Sequence, residues 1–180
     1  MAPAWQFGLV GILIVALVTD LQSRKIYNWL TFPAILLGLA LGALTGGVAG
    51  LQAAGIGLLV GSAVFLLGFM LGAMGAGDVK LMAAVGAWLG WPHALAAVLY
   101  VTVIGGFVSL GAAAVNGSLI QLFRNIYWFL VGLILPGGKA QAAIARSAAP
   151  PIPYGISIAL GGILALFFPE PQTLLALMRR

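Results

Sequence analysis

Cysteine is absent from the 180 residues. That excludes disulfides, thiol catalysis, zinc–thiolate sites and iron–sulfur clusters. Charge is nearly absent as well, at 6% of residues, against about a quarter in an ordinary soluble domain. Such a chain cannot cover a water-facing surface. With 63% hydrophobic residues and a mean hydropathy of +1.17, it cannot be disordered either, since disorder needs low hydrophobicity and high charge. Histidine occurs once and acids three times. There is no HExxH for a metalloprotease, no GxSxG for a serine hydrolase and no phosphate-binding P-loop. The eight Lys and Arg give a net charge of +5. They are scattered near the ends of apolar runs, which suits topology and anionic headgroups rather than nucleic acid.

What remains is apolar sequence, and it reads as a polytopic membrane protein: an all-α bundle of about six transmembrane helices in one domain covering residues 1–180. Trp5–Thr19 is the first span, without the basic start or cleavage site of a signal peptide. Residues 26–77 carry no charge, too long a stretch for one helix. Thr45-Gly46-Gly47 and Gly50 supply a turn, so spans two and three are expected near 29–45 and 51–72, with Asn28 as a helix cap. Gly57, Gly61, Gly68 and Gly72 share one helical face, where a neighbouring backbone can approach closely. Gly90-Trp91-Pro92-His93 separates spans four and five, about 79–91 and 94–115. Span four is short and is expected to start inside a cavity. The sixth is about 152–169. Between them, Ile126–Pro136 is too short to cross, so an interfacial or re-entrant segment is expected near 120–136.

Arg24, Lys25, Lys80, Arg124, Lys139 and Arg146 all fall at alternate junctions, while those near 46–50 and 90–93 have no Lys or Arg. The positive-inside rule makes the basic set cytoplasmic. Arg179-Arg180 runs against this orientation, because six spans would place them outside.

Glu170 follows the last span and reads as a solvated end. Asp20 and Asp78 instead sit at the same cytoplasmic face, where acids at a membrane are costly and suggest function. Asp20 could pair with Arg24 at i,i+4, and Asp78 could favour a helix N-terminus. The sharper reading is a catalytic pair. Two carboxyls in a poorly hydrated site share a proton, so one takes a proton from water while the other polarises a carbonyl. The pair titrates as a unit. Gly75 and Gly77, lacking Cβ atoms, would let an extended substrate approach Asp78. Lys80 could tune the acids or touch substrate. The alternative is a small proton-coupled transporter with Asp20 and Asp78 as its relay.

Gly75-Ala76-Gly77-Asp78-Val79-Lys80-Leu81 resembles the GxGD motif and its continuation in the type IV prepilin peptidases, the A24 aspartic peptidases of bacterial inner membranes. Asp20-Leu21-Gln22-Ser23-Arg24-Lys25-Ile26-Tyr27-Asn28 is similar to the family's first motif, whose Asp precedes Ile-Pro-Asn; here Tyr27 replaces the Pro. Ile152-Pro153-Tyr154-Gly155 resembles its Pro-Tyr-Gly start of the last core helix. The resemblance runs in order from Asp20 to about Gly162. It implies cleavage of a prepilin's basic leader just before its apolar helix, with Asp20 and Asp78 catalytic and Gly75, Gly77 and Lys80 near the substrate. It also implies a multi-pass inner-membrane location, membrane lipid around the chain and no nucleic-acid partner. Many members carry a cytoplasmic zinc-binding Cys domain and also N-methylate the new terminus with S-adenosylmethionine. Lacking Cys, this chain resembles the short form of Flp/Tad pilus systems, for which no cofactor, no metal and no methyl transfer are expected.

Overall fold

The computed structural model describes residues 4–70, 74–134 and 154–169. Among these residues there are helices and no strand: α1 (Ala4–Ser23), α2 (Asn28–Met70), α3 (Ala76–Leu89), α4 (His93–Val115), α5 (Leu119–Ile134) and α6 (Tyr154–Phe167). Three of them, α1, α2 and α4, are long and apolar enough to cross a membrane. Glu170, Lys139, Arg146 and Arg179-Arg180 lie outside the described residues. So does much of the expected last junction.

The 43 residues of α2 would make a straight rod of about 64 Å, twice the thickness of a bilayer's hydrocarbon core. Gly47 breaks the rod with φ 59° and ψ −140°, a conformation glycine reaches without strain. The chain then reverses. A Cβ on Gly42 would lie 2.7 Å from the Gly50 carbonyl oxygen and 2.9 Å from the Ala54 Cβ. The two arms coincide with the two segments expected around the 45–50 turn.

Both arms flank α3. Along the first arm, Lys80 Nζ meets Asn28 and Trp88 Nε1 donates to the Ala34 carbonyl at 2.7 Å, so this arm runs parallel to α3. Along the second, Gly57 meets Gly86 and Gly61 faces the Met82 carbonyl, so that arm is antiparallel. In lipid, apolar surface gives helices no reason to associate, and close backbone approach through small residues replaces it. Gly57 and Gly61 of the glycine face read from the sequence supply that approach; Gly68 meets the Met74 side chain, and Gly72 lies outside the described residues.

α3 is the centre of the bundle. Every residue from Leu81 to Ala87 is buried, as a helix apolar on all sides must be. Leu9 and Leu13 of α1, Phe65 of α2, Val101 of α4 and Ile158 of α6 complete its packing. α6 runs antiparallel to α4, with Gly161 against Val101 and Tyr154 Oη 3.5 Å from Ser109 Oγ. Outside, Leu44, Val48, Phe107 and Val115 are each more than 70% exposed, a surface suited to lipid rather than water.

α5 covers the segment expected near 120–136, beginning at Leu119. Its 16 described residues cover about 24 Å. Ile120, Phe123, Tyr127 and Leu130 are exposed along one face, while Gln121, Asn125 and Trp128 are half-buried. The polar side chains interrupt the apolar run in sequence without interrupting the helix, because they occupy a different face.

A Cβ on Gly61 would meet the Met82 carbonyl oxygen at 2.5 Å, whereas Gly111 has nothing within 4 Å. Gly61→Leu should lower unfolding free energy by about 1–3 kcal/mol, read by steric trapping in bicelles. Gly111→Ala should cost nothing.

Candidate active site

α1 stops just beyond Asp20. Arg24 accepts φ 50°, the left-handed position that commonly ends a helix, and its N–H donates to the Asp20 carbonyl at 2.8 Å. A short irregular stretch then leads into α2. This turn brings Arg24–Asn28 past the start of α3, and a pocket of about 320 Å³ forms between them. Its walls are Asp20, Arg24, Lys25, Ile26, Tyr27, Asn28, Gly75, Gly77 and Asp78. The two acids, 58 residues apart by numbering, thus share one pocket at one end of the bundle.

Each carboxylate takes a free amide at a helix N-terminus, where the first N–H groups lack intrahelical partners. Asp78, in the first turn of α3, accepts from the N–H of the N-cap Gly75 at 3.0 Å through Oδ2. Asp20 is only 6% exposed and accepts from Gly155 N–H of α6 at 2.8 Å, again through Oδ2. Among the described residues, Asp20 makes no ion pair with Arg24, and the Oδ1 atom of neither acid has a hydrogen-bond partner. One oxygen of each carboxyl is therefore held and the other is left for water or substrate.

Asp78 lines the pocket and lies outside the three helices long enough to cross. Burial pushes its carboxyl up from 3.8 to about 6, with the Gly75 N–H opposing the rise and the Asp20 charge adding to it. A raised carboxyl keeps its proton at pH values where an ordinary aspartate has lost it. A pair that works with one shared proton should therefore lose activity as pH rises through and beyond about 6. A pH profile of single-turnover cleavage in nanodiscs checks this.

Gly75 and Gly77 both line the pocket, and Lys80 does not. The space a Cβ would take at Gly77 is filled by Ile26, 2.9 Å away. That glycine is used by the chain's own packing, where the sequence suggested room for substrate. Lys80 turns to α2, donating to Asn28 Oδ1 at 2.8 Å. Asn28 consequently does not cap α2; the Leu30 and Thr31 amides donate to the Tyr27 carbonyl instead. His93 lies at the opposite end of α3 from Asp78. Gly155 was visible in the sequence only as part of Pro-Tyr-Gly, with no role attached. A Cβ there would lie 2.6 Å from Asp20 Oδ2, so glycine is what allows α6 to hold the acid.

The protein is a helical membrane bundle with two acids in one end pocket. The model of the type IV leader peptidase family matches residues 7–110, and the chain belongs to that family. It is 32% identical over 176 residues to a prepilin leader peptidase/N-methyltransferase of Burkholderia pseudomallei, covering 94% of this chain and 48% of that protein. The Aeromonas hydrophila protein of the same name is 28% identical over 184 residues, covering 96% and 53%. A Neisseria gonorrhoeae protein, also so named, is 35% identical over 123 residues, covering 59% and 42%. The chain spans about half the length of the curated relatives it matches. No solved structure matches it.

Proposed function

We propose that this chain is an aspartic endopeptidase that removes the basic leader from type IV prepilins of the Flp/Tad kind, at the cytoplasmic face of the bacterial inner membrane. The observation that carries the reading is the meeting of Asp20 and Asp78 in one pocket. One carboxylate takes a proton from water, and the resulting hydroxide attacks the scissile carbonyl carbon. The other acid donates its proton toward the carbonyl oxygen. Collapse of the tetrahedral intermediate breaks the C–N bond, and the amine leaves with a proton returned by the dyad.

The six-span arrangement and its orientation belong to the same proposal. Arg24, Lys25 and Lys80 lie at the acids' end of the bundle, and the Gly47 and Gly90 turns lie at the other. The positive-inside rule then makes the acids' end cytoplasmic. A prepilin's basic leader would stay at headgroup depth, away from Arg24 and Lys25, while its apolar helix packs laterally on the bundle. A relay transporter needs protonatable groups along a path across the membrane. Asp20 and Asp78 are the acids among the described residues, and both occupy one end. Co-expression with a candidate prepilin tests the proposal: a gel shift to the mature pilin is expected with the wild-type chain, and an unshifted pilin would count against it.

A further inference from the structure

Asp78 and Lys80 are two residues apart on one helix, so their side chains point about 200° apart. Asp78 faces the pocket and Lys80 cannot. Lys80 Nζ lies instead 2.8 Å from Asn28 Oδ1 and 5.1 Å from the centroid of the Phe32 ring. Asn28 and Phe32 are i,i+4 neighbours on one face of α2. The amide oxygen supplies a charge-assisted hydrogen bond and the ring a cation–π contact. Both partners of the ammonium thus come from the first turns of α2.

Asn28 closes the Arg24–Asn28 wall of the pocket. The wall's other end is the terminus of α1, which carries Asp20 and is held to α6 through Gly155. Ile26, midway, rests on Gly77. The wall is therefore fixed to α6 through Asp20 and to α3 through Ile26 and Asn28. Only the Asn28–Lys80 link among these is a polar bond to the helix that carries Asp78.

We propose that Lys80 and Asn28 form a clamp that holds the Arg24–Asn28 wall against the first turn of α3 and so sets the spacing of Asp20 and Asp78. Lys80 is then a positioning residue and not a substrate contact. The proposal rests on the peptidase reading for its effect on cleavage, but the clamp can be measured without substrate.

The chain has no Cys, so paired spin labels can be placed without background. Lys25→Cys and Ala76→Cys put labels on the wall and on the start of α3, both at exposed positions. In nanodiscs, pulsed electron–electron resonance should give one narrow distance. Lys80→Met and Asn28→Ala should each lengthen and broaden it; Lys80→Arg and Asn28→Asp should restore it. In unlabelled protein acting on a prepilin, Lys80→Met and Asn28→Ala should each lower kcat about ten- to a hundredfold, the loss expected from sub-ångström to ångström misplacement. KM should stay within about twofold, and the double variant should be no worse than either single one. A Lys80 that serves only membrane topology would leave Asn28→Ala silent in both measurements, and that result overturns the clamp. A raised KM with unchanged kcat in Lys80→Met also overturns it, in favour of substrate contact. A wild-type chain that cuts no prepilin, yet whose label spacing depends on Lys80, sinks the peptidase reading and with it any role of the clamp in cleavage.

Discussion

Asp20→Asn and Asp78→Asn should each reduce leader release by about 1,000-fold or more, and the double variant should be little worse than either alone. The magnitude follows from general acid–base catalysis, worth about 10² to 10⁴ per group, and from the non-additivity of residues that act as one unit. Asparagine keeps the shape of the side chain and can still accept the Gly75 or Gly155 N–H through its carbonyl oxygen. Folding and insertion should therefore survive, and a thermal-aggregation assay in parallel separates a dead site from a lost protein. Additive losses would mean that the two acids do different jobs at different steps.

Gly155→Ala should lower leader release by about 100-fold without removing either acid. The added methyl would sit 2.6 Å from Asp20 Oδ2 and 2.8 Å from its Cβ. The carboxylate must move, or α6 must withdraw its N–H; either shifts Asp20 by about 1 Å, a displacement that costs on the order of 10²-fold in rate. Gly155→Val should cost more, because the branched side chain crowds the same space. By contrast, Gly106 has open space around it, and Gly106→Ala on α4 should leave release within about twofold. Initial rates with a prepilin in nanodiscs check all three variants.

How far the sequence reaches is clearest at these residues. That Asp20 and Asp78 meet at one end of the bundle was readable because acids are so scarce that each stands out at a junction of apolar runs. The reversal of α2 was readable too, since a charge-free stretch longer than a membrane must turn, and glycines mark where. Other features are contacts between distant segments, and no local pattern encodes them. Gly155 reaches Asp20 across 135 residues and Lys80 reaches Asn28 across 52. Sequence alone made Asn28 a helix cap and Lys80 a neighbour of substrate; the fold gives each to the other. Gly77 shows the same limit. A missing Cβ signals close approach without naming what approaches, and here it is Ile26. The segment expected near 120–136 is found as α5, Leu119–Ile134; Gln121 and Asn125 break the apolar run in sequence but lie off the face carrying Ile120 and Phe123.

We propose that Asp20 and Asp78, in this pocket, cut a prepilin. The most direct measurement is mass spectrometry of the peptide released when purified protein in nanodiscs meets a prepilin with no other protein present. Release of the intact basic leader is expected from the wild-type chain and none above background from Asp78→Asn, with both forms equally folded. Comparable release by Asp78→Asn would contradict the aspartic mechanism and bring the proton-relay transporter back to the front.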